Sequence, residues 1–208
     1  ETMLDSLIEL CAPYTGLNRV ALRWLWDFLQ EHPAPDGAVV QCGCVNGGSA
    51  VLLWHAAGAG ARPLWMFDSW EGMPPPDDHD GGKAGSKYNF HIAVHGSWCK
   101  GDIEKAREVA RLGGVPEAQA HFVRGWFADT LPDTAAQVGK IAVLHLDADW
   151  YQSTLECLTW LYPYLVPGGL LILDDYNIWP GCKLACVDYG IDNLLVKPQP
   201  NGAWLRKE

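Results

Sequence analysis

Three aspartates follow two apolar runs in the second half of the chain. Asp147 comes directly after the run 141–146, and Asp174 and Asp175 come directly after the run 170–173. If both runs are parallel strands of one sheet, their carboxyl ends lie at one edge, and the three carboxylates converge there. Like charges so close raise one another's pKa, so a cation or a shared proton is expected. Oxygen-only ligands favour a hard ion, and we predict a Mg²⁺ site, with Mn²⁺ or Ca²⁺ as alternatives.

Two polar residues lie near Asp147 in the sequence. Asp149, with Gln152 three residues later, has the spacing of a capping box, so we assign Asp149 to the start of a helix and not to the metal. His145 lies two residues before Asp147 and therefore points to the same side of the strand. We interpret His145 as a hydrogen-bonded core histidine, with a hydrogen-bond partner of a metal ligand or a general base as the alternatives.

A glycine-containing turn earlier in the chain has features of a nucleoside site. Gly43, Gly47 and Gly48 have the spacing G-x-x-x-G-G, which matches the G-x-G-x-x-G pyrophosphate fingerprint poorly. Asp68 follows the next apolar run, 25 residues after Gly43, near the place where an acidic residue binds ribose hydroxyls. A wide turn without a diphosphate cradle favours S-adenosylmethionine over NAD, because S-adenosylmethionine carries ribose and adenine but no phosphate.

Alternating strands and helices position these residues. Strands are predicted at 38–42, 63–67, 119–124, 141–146 and 170–173, and helices at about 3–12, 18–31, 47–57, 102–112, 151–163 and 181–192. One or two short strands close the chain. Several strands are continuous apolar runs, so we predict an α/β fold with a mostly parallel, doubly wound sheet and helices on both faces.

The segment from about Glu71 to Lys100 differs from the rest of the sequence. Its first half contains three consecutive prolines, the run Asp77-Asp78-His79-Asp80 and the pair Gly81-Gly82. A long irregular stretch inside a compact domain is usually a functional lid or a disordered segment. We therefore predict one domain over residues 1–208, with a lid insertion at about 71–100.

Composition limits the class of protein. The chain has 208 residues, 49% of them hydrophobic, and a formal net charge of −10, which suits one packed domain. No basic stripe is present, which argues against nucleic acid as a partner. No apolar run approaches the roughly 20 residues of a membrane span, and no signal peptide is visible. The seven cysteines form no paired C-x-x-C pattern, so we expect reduced thiols and a cytoplasmic location, and we leave open whether the chain forms a homo-oligomer.

Five blocks of sequence are specific in combination. They are Gln41 to Ser49, Phe67 to Pro74, Gly125 to Pro132, Leu144 to Thr154, and Asp174-Asp175-Tyr176 followed by Pro180 to Lys183. In this order, over most of the chain from about residue 37 onward, they resemble the macrocin O-methyltransferase family. That family acts on deoxysugars of macrolide, aminocoumarin and similar antibiotics.

The resemblance implies a Rossmann-like class I methyltransferase fold that binds S-adenosyl-L-methionine. It assigns the donor to Gln41, Gly43, Gly47, Ser49, Asp68 and Ser69, and places Gly125, Trp126 and Phe127 against the adenine. It matches Asp147, Asp174 and Asp175 to the family's metal carboxylates and makes Asp147 the catalytic base. The implied activity is divalent-metal-dependent O-methylation of a hydroxyl on a deoxysugar or glycosylated natural product, so the partner is a small sugar or glycoside acceptor.

Two features depart from the family pattern. Gln41 occupies a position where the family usually has Glu, which weakens any charge contact to the methionine amino group. The N-terminal segment is short, so the part of the substrate pocket that the family builds there differs or is absent.

Two other functions stay open from the sequence. A catechol-type O-methyltransferase would use the same metal chemistry on an aromatic diol, and the abundant tryptophans are compatible with it. A nicotinamide-dependent sugar oxidoreductase is disfavoured, because the chain lacks G-x-G-x-x-G and a helical Tyr-x-x-x-Lys pair.

Overall fold

Six strands form one sheet in this computed structural model, which describes residues 2–60, 62–197 and 202–208. The strands are β1 (Ala38–Cys42), β2 (Leu64–Asp68), β3 (Ala120–Arg124), β4 (Ile141–Leu146), β5 (Leu165–Leu173) and β6 (Ala203–Arg206). Their order is β3-β2-β1-β4-β5-β6. All neighbours pair in parallel except β6, which runs antiparallel to β5.

The central strands are buried on both faces, as their continuous apolar sequences require. Every residue of β1 and β4 is buried. Successive side chains point to opposite faces, so Val39 and Val143 pack into one core, and Val40 and Leu144 pack into the other. The predicted mostly parallel, doubly wound sheet is therefore confirmed.

Eight helices are present in the described part of the chain. They are α1 (Met3–Cys11), α2 (Arg19–Glu31), α3 (Gly48–Ala56), α4 (Gly81–His95), α5 (Ile103–Leu112), α6 (Phe127–Val138), α7 (Tyr151–Leu161) and α8 (Pro180–Tyr189). Helices α1, α2, α3 and α5 pack on one face of the sheet, and α6, α7 and α8 pack on the other. Within the described residues, no helix has the length and apolar character that crossing a bilayer requires.

Two of these helices differ from the sequence predictions. Helix α6 was not predicted, although Leu131, Ala135 and Val138 are buried at helical spacing. Pro132 lies inside it and obscured the pattern, because an interior proline normally ends a helix. The prediction of an irregular stretch over 71–100 is wrong for α4. Helix α4 contains three glycines and a single buried residue, Ala84, so its sequence has no apolar period from which a helix could be predicted.

The residues before α4 are attached firmly to the body of the domain. The Asp80 carboxylate is buried and accepts the backbone N–H groups of Tyr151 at 2.7 Å and Asp77 at 2.9 Å. A Cβ on Gly181 would overlap an Asp80 carboxylate oxygen, so this close approach requires glycine. The Trp150 indole N–H donates to the Pro74 carbonyl at 2.9 Å. Residues 74–80 are therefore held against the N-terminus of α7.

Helix α4 itself is much more exposed. Phe90 is 60% and Val94 is 57% exposed. Few buried apolar contacts hold such a helix, so its local stability is expected to be low.

Candidate functional site

A cleft of about 540 Å³ opens at the carboxyl ends of the parallel strands, where ligands bind in open α/β sheets. Its wall contains residues that follow β1, β2, β3 and β4, residues 16–17, and part of the segment 71–100. Seven of the predicted site residues lie in this wall: Gly43, Asp68, Ser69, Gly125, Trp126, Phe127 and Asp147.

Three predicted donor-binding residues lie behind this wall. Gln41 is 0% and Ser49 is 1% exposed. Gly47 precedes α3, and a Cβ there would lie 3.1 Å from the Cβ of Ala106 in α5. These three residues are therefore placed to shape the wall, while the other predicted donor-binding residues line the cleft, and the predicted metal ligands Asp174 and Asp175 do not line it.

The turn after β1 touches the end of β4. Gly43 has a φ of +80°, and a Cβ there would overlap the carbonyl oxygen of Asp147. Only glycine combines that backbone conformation with so close an approach. The predicted donor side and the predicted acidic side thus share one wall.

Asp68 organises the donor side of the cleft. Its carboxylate accepts the backbone N–H groups of Cys44 at 2.7 Å, Val45 at 2.8 Å and Trp70 at 2.7 Å. Burial raises the pKa of Asp68, and the three N–H groups lower it. The sequence predicted a contact to ribose; the structure adds that Asp68 also holds the turn after β1.

An aromatic surface follows β3. Trp126 is 37% exposed and lies beside Phe127, the first residue of α6, and both line the cleft. The Gly125 N–H donates to the Asp68 carbonyl at 3.0 Å, which ties this surface to the end of β2. A flat apolar surface beside a carboxylate suits an adenosine.

Asp147, Asp149 and Asp175 form a carboxylate trio. Each offers one oxygen, and these oxygens all lie within 4.8 Å of one another. Burial first, and then the neighbouring carboxylates, raise the pKa of Asp147 and Asp175 well above the ordinary value. Burial raises the pKa of Asp149 to about 6.

Few favourable contacts offset this repulsion. The Asp149 N–H donates to the Asp175 carboxylate at 3.2 Å, and the Trp179 indole donates to Asp149 at 2.8 Å. In the part of the chain that the structure describes, no ion pair includes a member of the trio. Oxygen-only ligands whose charges are otherwise uncompensated fit a hard divalent cation.

The assignment of Asp149 to a helix cap is wrong. Its φ is +55°, which takes its side chain away from the N-terminus of α7 and into the trio. Trp150, not Asp149, is the N-cap of α7 and provides no side-chain cap, and the Tyr151 N–H donates to Asp80. The spacing Asp147-x-Asp149 directly after a strand was the signal that could have revealed the second carboxylate.

Asp174 is not a member of the trio formed by the described residues. Its N–H donates to the Leu146 carbonyl at 3.0 Å, which continues the pairing of β5 with β4. Burial raises the pKa of its carboxyl group. Asp174 therefore stays a predicted ligand whose carboxylate the geometry leaves outside the trio.

His145 belongs to the core and does not line the cleft. The expectation of a hydrogen-bonded histidine is wrong, because neither ring nitrogen has a partner among the described residues. Burial lowers its pKa to about 4, so the ring is neutral at physiological pH. Nothing in this placement supports the alternative of a general base.

Sequence reasoning missed the wall residues that come from loops and from the exposed face of α7. They are Gly16, Leu17, Val45, Gly72, Met73, Pro74, Pro75, Asp77, Asp80, Cys99, Ala148, Trp150, Gln152, Ser153 and Glu156. Gln152 donates to Glu156 at 2.7 Å, one turn later on α7. Such pairs are ordinary on helix surfaces, so no local pattern marks them as part of a site.

Comparisons with known proteins agree with this geometry. Residues 22–204 match the family model described as Macrocin-O-methyltransferase (TylF). The 8-demethyl-8-(2,3-dimethoxy-alpha-L-rhamnosyl)-tetracenomycin-C 4'-O-methyltransferase of Streptomyces olivaceus is 37% identical over 158 residues, covering 74% of this chain. Mycinamicin III 3''-O-methyltransferase of Micromonospora griseorubida is 32% identical over 180 residues, covering 82% of this chain and 68% of that protein.

A solved structure gives the same result. The O-methyltransferase NovP superposes with a TM-score of 0.74 at 27% identity, covering 93% of this chain and 82% of that chain. The chain spans 58% of the length of the Streptomyces olivaceus relative. These likenesses confirm the Rossmann-like methyltransferase fold and the resemblance found in the sequence. The chain belongs to the macrocin-O-methyltransferase family.

Proposed function

We propose that this chain is a divalent-metal-dependent and S-adenosylmethionine-dependent O-methyltransferase that methylates a sugar hydroxyl of a glycosylated natural product. One observation carries the proposal: Gly43 packs directly on the backbone of Asp147, a member of the carboxylate trio, and both line one cleft, which supports placing donor and acceptor side by side there. Two relatives are named for O-methylation of mycinamicin and of a rhamnosyl tetracenomycin, which supports a glycoside as acceptor.

The charge of the cleft suits the donor. Its acidic wall residues are Asp68, Asp77, Asp80, Asp147, Asp149 and Glu156, and no lysine, arginine or histidine occurs among the described wall residues. A wall of this charge attracts a cation such as a sulfonium. We place the ribose at Asp68 and Ser69 and the adenine at Trp126 and Phe127.

The carboxylate trio would hold Mg²⁺ or Mn²⁺. We assign Asp147 and Asp175 as ligands, as the sequence predicts, and add Asp149 because of its position in the trio. Asp174 is the remaining predicted ligand. When bound, the cation would lower the pKa of a coordinated sugar hydroxyl and fix its orientation.

Asp147 is the proposed base. Asp147 lines the cleft and belongs to the trio, so its carboxylate would lie beside a hydroxyl that the cation holds. When bound, S-adenosylmethionine supplies the methyl group, and the Asp147 carboxylate takes the proton that the hydroxyl loses. The donor would thereby become a neutral thioether, so the positive charge of the sulfonium and the negative charge of the Asp147 carboxylate would be lost together.

We also propose that residues 71–100 act as a lid. Met73, Pro74 and Pro75 line the cleft from an anchored stretch, whereas α4 is exposed and held by few contacts. Hydrogen exchange should be fast in α4 of the free protein and slower with donor, Mg²⁺ and acceptor, while residues 74–80 change little. Slow exchange in α4 of the free protein that ligands do not change would contradict the gating role.

The decisive experiment uses S-adenosylmethionine with a labelled methyl group, a panel of glycosylated natural products and a panel of catechols. We expect label on a glycoside in the presence of Mg²⁺ and none after a chelator, with donor affinity measured by calorimetry nearly unchanged. Label on catechols alone would favour the catechol-type alternative. NAD binding in place of S-adenosylmethionine would favour the oxidoreductase. Full turnover in excess chelator would overturn the metal dependence.

The cellular location of the protein and the class of its partner are also proposals. Six of the seven cysteines are buried and all seven are unpaired, which is typical of a reducing cytoplasm. The acidic cleft gives no site for a nucleic-acid backbone, so we propose a small-molecule partner only.

A further inference from the structure

Gln41 lies behind the wall of the cleft and forms hydrogen bonds to residues that shape this wall. Its Nε2 donates to the Gly43 carbonyl at 2.9 Å and to the Ser49 hydroxyl at 2.8 Å. The side chain is 0% exposed and does not line the cleft. A buried amide in this position holds neighbouring groups in place and has no path to a ligand.

These hydrogen bonds connect three parts of the wall. Gly43 lines the cleft after β1, and Ser49 lies in the first turn of α3. The Thr15 hydroxyl donates to the Ser49 hydroxyl at 3.4 Å, and Gly16 and Leu17, which follow Thr15, line the cleft. One amide group therefore fixes the glycine turn, and through Ser49 it reaches the loop at 15–17.

The geometry requires a hydrogen-bond donor on the side chain of residue 41. The Gly43 carbonyl can only accept, so an ionised carboxylate at residue 41 would repel it. The amide oxygen of Gln41 has no partner among the described residues, so the observed contacts of the amide come from its NH₂ group. The carboxylate of Asp68 and the carbonyl of Asp147 both contact the turn after β1. A further negative charge at residue 41, beside that turn, is therefore unfavourable.

We propose that Gln41 is a positioning residue: its NH₂ group fixes the Gly43 carbonyl and the Ser49 hydroxyl and so sets the shape of the donor-side wall, without touching the donor. The inference rests on the proposed function only in taking S-adenosylmethionine as the ligand of that wall. It predicts that a charged residue 41 weakens donor binding and does not strengthen it.

The experiment measures affinities for S-adenosylmethionine and S-adenosylhomocysteine by calorimetry between pH 6 and pH 9. Gln41→Glu should weaken both by about tenfold or more at pH 8 relative to the wild-type chain, as expected for a lost hydrogen bond and a new repulsion. The deficit relative to wild type should shrink as the pH falls, because a protonated carboxyl group can again donate to Gly43.

Two further variants control for folding and for charge. Gln41→Met removes the N–H donors without adding a charge, so it should weaken donor binding equally at every pH. Gln30→Glu removes an amide hydrogen bond at the surface, from the exposed Gln30 on α2 to the Ala56 carbonyl at 3.0 Å, away from the cleft. It should leave donor affinity unchanged across the pH range. Because an ionised carboxylate buried at residue 41 also destabilises the fold, the thermal midpoint of each variant is measured at the same pH values, and the inference requires weaker donor binding at a pH where Gln41→Glu is still folded.

Several outcomes would overturn the inference. Donor binding by Gln41→Glu as tight as or tighter than wild type at pH 8 would mean that residue 41 contacts the donor by charge. Unchanged affinity in Gln41→Met would mean that the NH₂ group is dispensable. If the wild-type chain binds neither S-adenosylmethionine nor S-adenosylhomocysteine, the proposed function and this inference fall together, whereas failure in the variants alone overturns only the inference.

Discussion

The two sides of the cleft hold buried carboxylates in different surroundings. Asp68 lies on the donor side, and the carboxylate trio lies on the acidic side. Asp68 accepts three backbone N–H groups at 2.7–2.8 Å. The carboxylates of Asp147, Asp149 and Asp175 instead face one another. The pKa of Asp68 is raised by burial and lowered by three N–H donors, whereas in the trio burial and repulsion raise the pKa with fewer hydrogen bonds to oppose them.

This difference separates two kinds of preorganisation. The donor side is completed by the protein's own backbone, so its shape should persist without ligands. The acidic side is stable when ionised only if a cation offsets its charge. Substitutions on the two sides should therefore affect different measurements.

The largest expected effect is on turnover. Asp147→Asn removes the proposed base and a ligand, and we expect a loss of about 10²–10⁴-fold in kcat. High Mg²⁺ should not restore the rate, and the calorimetric affinity for S-adenosylmethionine should change little. A loss below tenfold, or full recovery with Mg²⁺, would mean that Asp147 does not take the proton.

Asp68→Ala tests the donor side. It should weaken S-adenosylmethionine binding by about 1.5–3 kcal/mol, because hydrogen bonds to a charged group are lost. The Mg²⁺ concentration that gives half-maximal rate should stay the same. Asp102→Ala removes a cap at α5, where Asp102 accepts the Glu104 N–H at 2.9 Å, and serves as the matched control with unchanged donor affinity. Wild-type donor affinity in Asp68→Ala would remove the ribose assignment.

Asp149→Asn and Asp174→Asn decide between the trio and the set predicted from sequence. We expect Asp149→Asn to raise the Mg²⁺ concentration for half-maximal rate by at least about tenfold, since metal-site substitutions commonly cost 10–100-fold in affinity. Asp174→Asn should have the smaller effect, and high Mg²⁺ should partly rescue both variants. The reverse order would restore Asp174 as the third ligand and return Asp149 to a structural role.

The smallest expected effect is on stability. Carboxyl groups whose folded pKa is raised stabilise the folded state below their unfolded pKa, and that contribution is lost as the pH rises through the folded pKa. For Asp149 this window runs from the ordinary value of 3.8 to about 6. Mg²⁺ should therefore raise the thermal midpoint more at pH 7.5 than at pH 4, by at least about 2–4 °C, corresponding to 1 kcal/mol.

The control for this pH dependence is the Asp149→Asn variant, in which the difference between the two pH values should shrink. Thermal unfolding of both chains with and without Mg²⁺ measures it. A metal-induced shift that is equal at both pH values would show that ionisation of the trio does not limit metal binding.

Local sequence patterns determined most of the scaffold. Continuous apolar runs predicted β1 and β4 with correct bounds, because a strand that is buried on both faces is apolar along most of its length. The same patterns failed for α4 and α6. Helix α4 exposes most of its residues and has no clear apolar period, whereas α6 has buried residues at helical spacing but contains Pro132, which normally ends a helix.

The residue types of the site could also be predicted from the sequence, because ligands of open parallel sheets bind at the carboxyl ends of the strands. The sequence by itself therefore determined the fold, the family and the edge of the sheet at which Asp68, Asp147 and Asp175 lie. Only the tertiary structure decided which polar groups are hydrogen-bond partners and which carboxylates lie together. Asp80 takes the N–H of Tyr151, 71 residues away, and the left-handed backbone at Asp149 turns that side chain into the trio. Contacts across such separations depend on how the loops pack, and no local periodicity encodes them.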